Sequence, residues 1–281
     1  MKRMSFLAIA GLFIWGLVSC QSVHSQFTDG VKAEFRKQPM APGQVLTIDD
    51  IQHLPVRLQQ YLVFAGAVGK PVPGNFRLVF DGRMVRKPGA EPMDMPVEQY
   101  NFFDRYARHF TMGSSIFLIP FAAVHQYSDE SALFQVRIAS LYNTVDLKGD
   151  TLTQAETVTI LNDLCLYNPA ALTDPRIRAD ETDSGWVRIR LKNGKHEVSA
   201  VLDISQAGVL NNFVSDDRYA LEENGSMRNV RWSTPVTNWK EVDGRRVPGW
   251  GAAVYHYPEG DFQYADFTFR SVEYDVKGVV E

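Results

Sequence analysis

Val187, Ile189 and Leu191 alternate with Arg188, Arg190 and Lys192, and beyond Asn193-Gly194 a second alternating run carries Val198, Ala200, Leu202 and Ile204. Two such runs around an Asn-Gly pair predict a β-hairpin with a two-residue turn. A turn at Asn193-Gly194 sets Leu191 opposite His196, Ile189 opposite Val198 and Arg190 opposite Glu197. Both apolar rows then share one face and the charges pair on the other, because side chains alternate along a strand. A sheet with one apolar face must bury it, so the rest of the chain has to supply the cover.

Further alternating runs extend the sheet. Phe76, Leu78, Phe80 and Met84 point one way, Arg77, Asp81 and Arg83 the other. Strands are also expected over 97–103, 107–112, 133–140, 142–148, 209–214, 230–240, 246–257 and 262–276. The last changes phase twice, from Phe262 and Tyr264 to Phe267 and Phe269, then to Val272 and Tyr274. Each change predicts a bulge and added curvature. Leu54-Pro55 opens a helix with Leu58, Tyr61, Leu62 and Ala65 on one face, stopped by Gly66. Thr153-Gln154-Ala155-Glu156 reads as a capping box. The helix behind it runs to about Leu166, with Val158, Leu161 and Cys165 as its stripe, and Asn168-Pro169 ends it. About ten meander strands with isolated helices predict an α+β fold: a single curved, mostly antiparallel sheet, or half-barrel, packed around one or two helices.

The N-terminus carries an address. Lys2 and Arg3 precede a thirteen-residue apolar run from Phe6 to Val18, too short for a membrane span of about 20 residues and suited to a signal peptide. Leu17-Val18-Ser19-Cys20 has the form of a bacterial lipobox, in which Cys20 is acylated and becomes the first residue. Acyl chains such as palmitate then replace a transmembrane helix as the anchor. Gln21, rather than an aspartate, after the cysteine points to the outer membrane, and the missing acidic run points to its periplasmic face. The expected organisation is a lipoprotein signal peptide over 1–19, the lipidated cysteine and a tether over 20–46, and one α+β domain over 47–281. The tether holds one short helix around Val31 to Arg36.

Composition bounds the function. Hydrophobic residues make up 45% and charged residues 22% of 281 positions, which excludes a disordered or coiled-coil chain. Net charge is −4, and losing Lys2 and Arg3 makes it −6, against a nucleic-acid partner. Two cysteines exclude a disulfide framework, and Cys165 reads as a small buried hydrophobe. The six histidines form no tight ligand pair, so neither a metal nor another cofactor is expected. His196 reads as a half-buried histidine beside the hairpin turn. Ser114-Ser115 reads as a loop. Asp174, Asp180, Glu181 and Asp183 read as a solvated acidic turn without EF-hand spacing. No nucleophile elbow or phosphate-binding loop is present, and no catalytic residue is assigned.

Two constellations remain as candidate ligand sites. Asn162, with Asp163 beside it, lies at the edge of the helix stripe. A buried asparagine must find several partners, either strand backbone or a polar ligand group. The run Phe213-Val214-Ser215-Asp216-Asp217-Arg218-Tyr219 puts Asp216 and Arg218 on one strand face, where they could pair, and Ser215, Asp217 and Tyr219 on the other. Asp216 and Asp217 point to opposite faces and cannot form a catalytic dyad.

These same segments carry a resemblance. Thr159-Ile160-Leu161-Asn162-Asp163-Leu164-Cys165, Pro169-Ala170-Ala171-Leu172, Val198-Ser199-Ala200-Val201-Leu202 and Phe213 to Tyr219 stand between Leu54-Pro55…Tyr61-Leu62 and Trp232-Ser233-Thr234-Pro235-Val236. Together they resemble a family of uncharacterised bacterial proteins known only as a domain of unknown function, over about Phe27 to Val276. By analogy the resemblance implies a half-barrel like that of the LolA/LolB periplasmic lipoprotein carriers. It brings no activity with it.

The reading that follows is an envelope lipoprotein whose curved sheet cups an apolar ligand or lipid on its concave face. Asn162, Asp163, Asp216, Asp217, Arg218 and Tyr219 are its candidate contacts. Two alternatives stand beside it: an envelope hydrolase using carboxylates near Asp163 and Asp217, and a scaffold lipoprotein that holds a protein partner. A continuous apolar cavity under the sheet favours the first, converging carboxylates of raised pKa the second, and a filled barrel the third.

Overall fold

The computed structural model describes residues 22–39, 43–116, 119–139, 142–182 and 185–280. Three helices come first: α1 (Val23–Lys37), α2 (Ile48–Ile51) and α3 (Val56–Phe64). Strands β1 (Asn75–Met84), β2 (Met93–Phe102), β3 (Ala107–Ile116), β4 (Ile119–Ser128), β5 (Ser131–Ile138) and β6 (Tyr142–Lys148) follow, then helix α4 (Asp150–Tyr167). The remainder is β7 (Ile177–Glu181), β8 (Val187–Asn193), β9 (His196–Ile204), β10 (Leu210–Ser215), β11 (Tyr219–Leu221), β12 (Met227–Asn229), β13 (Arg231–Thr237), β14 (Lys240–Val242), β15 (Arg245–Val247), β16 (Trp250–Tyr257) and β17 (Gly260–Tyr274). Thirteen strands pair antiparallel in the order β6-β5-β4-β3-β2-β1-β17-β16-β13-β10-β9-β8-β7. The sheet is curved and open, with β6 and β7 at its edges.

The two phase changes of β17 are bulges that add curvature, and further register shifts lie between β9 and β10 and between β5 and β6. Tyr264 is the extra residue between the Val254–Gln263 and Ala253–Ala265 pairs, and Arg270 the extra one between Phe80–Phe269 and Val79–Ser271. The two ends of the sheet are then tied to each other and to α4. Asn193 Nδ2 donates to Tyr127 Oη at 2.6 Å, and Ala132 N donates to Thr153 Oγ1 at 3.1 Å. Arg176, just before β7, donates to the Phe103 and Asp104 carbonyls at 2.9 and 3.0 Å.

The hairpin forms with its apolar rows on one face, but its register differs from the expected one. Asn193 pairs with His196, Leu191 with Val198 and Ile189 with Ala200, so the turn residues are Gly194 and Lys195. Asn193 stays in the strand because its buried side chain holds Tyr127. Gly194 has φ +57°, the left-handed value that the first central position of a type II′ turn requires. Moving each strand by one residue preserves parity, so the buried face is unchanged.

Helix α4 departs further from expectation. It begins at Asp150, with Gly149 as N-cap, and nearly every residue from Leu152 to Tyr167 is buried. The expected capping box is absent: Thr153 Oγ1 donates to the Gly149 carbonyl at 3.0 Å, and Glu156 points into the interior. A reciprocal cap is formed instead by Thr47 and Asp50 at the start of α2. A helix with no polar face belongs inside a core, and α4 lies between the concave face of the sheet and the chain that closes it.

Residues 23–37, expected as tether with a short helix, form a fifteen-residue helix seated on the convex face. Val23, Phe27 and Val31 pack on Tyr100, Phe102, Ala107 and Val124. That cover explains why the second half of β2 is buried on both faces. Gln26 and Gln126 hydrogen-bond at 3.1 Å, while Lys37 reaches Asp129 at 2.6 Å, so the helix runs in the same direction as β4 with its N-terminal end towards Ile119. Ser114-Ser115, expected as a loop, lies in β3. Asp180 and Glu181 lie on β7, and Asp183 lies outside the described residues, as does Cys20.

His109 sits on β3 beneath α1, where Gln126 Nε2 approaches its Nδ1 at 3.3 Å. Burial pushes its pKa down from 6.5 to about 4, with Glu34 only partly opposing. A buried histidine kept neutral stabilises the fold fully above the unfolded value of 6.5. Between 6.5 and 4 the unfolded chain gains a proton that the folded chain does not, so stability falls with pH by about 3 kcal/mol. His109→Asn should flatten the pH dependence of the urea midpoint in that window. An unchanged slope would contradict the assignment.

Candidate functional site

A cavity of about 360 Å³ lies between α4 and the concave sheet. Its walls are mostly apolar: Phe80, Met112, Phe134, Leu166, Trp232, Ala253 and Tyr255 all face it. Phe80, Trp232 and Ala253 lie in the buried interior, whereas Met84, Met227, Tyr257 and Phe262 are half-buried and Arg86 and Leu221 are exposed. The exposed members mark the mouth. It lies at the end of the sheet where β1 leaves, β16 turns into β17, and the β11–β12 ribbon projects.

One wall is charged. Residues Glu156 and Asp163, seven apart on α4, face the sheet side by side with Thr159. Glu156 Oε2 meets Arg108 Nη1 at 3.3 Å and its Oε1 meets Arg218 Nη1 at 3.3 Å. Asp163 Oδ2 accepts from Arg108 Nε at 2.9 Å, Gln99 Nε2 at 2.8 Å and Asn101 Nδ2 at 3.0 Å. Gln99 Oε1 in turn accepts from Arg108 Nη2 at 2.9 Å. Aromatic rings cover the guanidinium faces, with Arg108 4.7 Å from the Phe110 centroid and Arg218 5.3 Å from that of Trp232. All four charged side chains are at most 10% exposed.

The two carboxylates are driven apart. Burial pulls Glu156 upward, but His125, Arg218 and Arg108 reverse this and hold it well below the usual carboxylate range. Burial also lowers His125 itself, which weakens its hold on Glu156 and leaves the guanidiniums as the lasting partners. His125 Nδ1 faces Glu156 Oε1 at 3.4 Å without hydrogen-bond geometry. The ring stacks on Phe134 with centroids 3.9 Å apart. For Asp163 burial prevails over Arg108 and the amide donors, and its pKa is raised. Arg218 Nε finds no protein partner although it is buried. Arg218 Nε, a donor, and His125 Nδ1 are thus the polar atoms that the described wall leaves open to whatever enters.

The candidate residues divide. Asn162, Asp163, Arg218 and Tyr219 line the cavity. Asn162 Nδ2 donates to Thr234 Oγ1 on β13 at 2.6 Å, so it ties helix to sheet by a side chain rather than by strand backbone. Asp216 does not pair with Arg218: it is 75% exposed and meets Arg231 at 3.7 Å. Asp217 is outside the lining and accepts from Ser199 N at 2.7 Å and Ser199 Oγ at 3.1 Å. A hydrolytic pairing of Asp163 with Asp217 is thus not assembled. The sequence reading missed Glu156, Arg108, Gln99 and His125. Arg108 shares its strand parity with Phe110 and Met112, and Gln99 shares its own with Val97 and Met95. A polar residue in an apolar row was the available signal.

Fold and site together define a half-barrel with an internal, mainly apolar cavity and one buried ionic wall. The chain belongs to a family of unknown function, DUF6544, whose sequence model matches residues 44–267. No curated protein matches it. Among solved structures it is similar to a LolA superfamily protein from Nitrosomonas europaea, at 8% identity, with 77% of this chain and 92% of that chain covered and a TM-score of 0.41. A DUF1329 family protein from Desulfovibrio piger is similar at 10% identity, with 83% and 95% covered and a TM-score of 0.43. A putative outer membrane lipoprotein-sorting protein domain from Vibrio parahaemolyticus matches at 8% identity, with 72% and 85% covered and a TM-score of 0.39.

Removing one partner from a buried ion network leaves the others uncompensated and costs about 3–5 kcal/mol. Glu156→Gln should therefore lower the unfolding free energy by about that amount. Asp216→Asn, at an exposed pair, should change it by at most about 1 kcal/mol. Urea titrations of both variants check this, and equal effects would contradict the division between wall and surface.

Proposed function

We propose that this chain is an envelope lipoprotein, anchored through Cys20, that binds an apolar ligand such as a lipid acyl chain in the cavity under its curved sheet. The observation that carries the reading is the cavity itself. Its volume falls in the range of roughly 300–1,000 Å³ usual for small-molecule sites, and its lining is apolar with few polar groups, as such sites are. Apolar walls favour a hydrocarbon portion at about 25 cal/mol per Å² removed from water. The unused Arg218 Nε, with Tyr219 and Asn162 nearby in the lining, would receive a polar end. The carboxylates are committed to guanidiniums and amides, so the wall suits recognition better than proton transfer. Asp216 and Asp217 have no part in this binding.

The test is uptake of a fluorescent fatty acid by the purified chain. Ala253→Phe puts a ring into the cavity and should weaken uptake at least about tenfold, equivalent to losing roughly 1.4 kcal/mol. Thermal melting of the same sample reports whether the fold survives. Uptake unchanged in a folded variant would remove the cavity reading. For the anchor, Cys20→Ser should abolish metabolic labelling by a clickable fatty acid, and equal labelling of both chains would remove the lipobox reading.

A further inference from the structure

Ile119, Ile138 and Tyr142 are 52%, 38% and 73% exposed, on a chain whose other apolar residues mostly find cover. They are not scattered. Ile119 opens β4 opposite Ile116, and Ile138 ends β5 opposite Tyr142, which opens β6. Ala139 N donates to the Pro120 carbonyl at 2.7 Å, so the β3–β4 and β5–β6 tips are fastened together. Antiparallel order puts both tips at the end of the sheet where β1 stops at Met84 and β16 turns into β17. That is the end on which the cavity opens. Met112 is the last lining residue on β3, and the strand continues four residues further to Ile116. Ile119, Ile138 and Tyr142 therefore stand at the same end as the mouth, whose rim reaches Arg86 after β1 and Phe262 on β17.

A second observation comes from α1. Its contacts with Gln126 and Asp129 point its N-terminal end along β4 towards the same tips. Ser22 caps that end of the helix. Only Gln21 separates Ser22 from Cys20. Two apolar features, the cavity mouth and the exposed strand ends, thus share one end of the molecule, and the N-terminal end of α1 is directed towards it.

We propose that this end seats on a lipid bilayer, with the tips in the interface and the cavity mouth facing the membrane. Among the described residues, Ile119, Ile138 and Tyr142 by themselves fall far short of the roughly 800 Å² per partner of a stable protein interface. They are enough to orient a chain that is already tethered, because apolar and aromatic side chains partition into the headgroup boundary. The proposal deepens the proposed function by naming the source of the ligand, the bilayer itself, and it rests on that reading for the anchor alone.

The test uses the mature full-length chain in vesicles of phosphatidylethanolamine and phosphatidylglycerol, with brominated lipids as quenchers. Ile119→Trp and Tyr142→Trp report on the tips. Val63→Trp is the control, on exposed α3, whose Tyr61 hydroxyl bonds the Cys165 carbonyl near the far end of α4. Emission added at 119 and 142 should be quenched, and emission added at 63 should not. Equal quenching at all three positions, or none in vesicle-bound protein, would overturn the orientation. The double variant Ile119→Glu with Tyr142→Glu should slow fatty-acid transfer from vesicles severalfold while leaving uptake of free fatty acid unchanged. Dimers of the wild type in solution that this variant abolishes, with no quenching in vesicles, would assign the tips to a second copy instead. Uptake of free fatty acid is measured without vesicles, so failure of the cavity reading and failure of the docking surface give different results.

Discussion

Glu156 is shared by two guanidiniums inside the barrel, and the placing of α4 depends on it. Arg108 comes from β3 and Arg218 from the segment after β10, so two distant parts of the chain meet on one carboxylate of the helix. Each buried ion carries a desolvation penalty of several kcal/mol unless its partners are in place. A slide of α4 by one turn would strand Glu156, Asp163 and both arginines together. The network adds little net stability over an apolar core of the same shape. Its consequence is register: it fixes which face of an otherwise uniformly buried helix looks at the cavity. Asn162 on Thr234 adds the same constraint towards β13.

The cavity follows from that placement. With α4 held by ions against one part of the sheet, the aromatic residues of β16 and β17 cannot close on it, and Tyr255 stacks on Tyr264 at 4.7 Å instead. Most polar atoms of the wall are internally satisfied; Arg218 Nε and His125 Nδ1 are not. An apolar space with few open polar atoms fits the proposed ligand, an amphiphile with a small polar end. The open sheet leaves the mouth at the end where the hairpin tips lie.

The sheet was legible where sequence alone fixes parity. Alternation located β1, β8 and β9, and the phase changes in β17 were bulges at Tyr264 and Arg270. The hairpin register was missed by one rung because Asn193 looked like a turn residue. Its role as a partner of Tyr127 is a long-range fact that local turn chemistry does not contain. β4 was overlooked because Pro120 and the small Ala122-Ala123 blur its pattern, and pairing on both sides carries it nonetheless. The residues read as a tether became α1 because β2 exposes Tyr100 and Phe102 on the convex face, and those rings need cover.

Of the candidate residues, Asn162 stood out at the edge of an apolar stripe, with Asp163 beside it, and Arg218 and Tyr219 in a polar run at a strand end; all four line the cavity. Arg218 was given the wrong partner, since neighbours along a strand were weighed and a helix sixty residues away was not. Glu156 was hidden by a convincing local motif, with Thr153 spaced as a cap. The central claim is that the cavity holds a lipid, and native mass spectrometry of the chain extracted from its own envelope tests it most directly. The expected spectrum has a mass excess of one acyl-bearing lipid per chain, lost on denaturation, beyond any acyl mass that stays covalently on Cys20. A folded chain carrying no such excess in any charge state, from membranes rich in lipid, would contradict it.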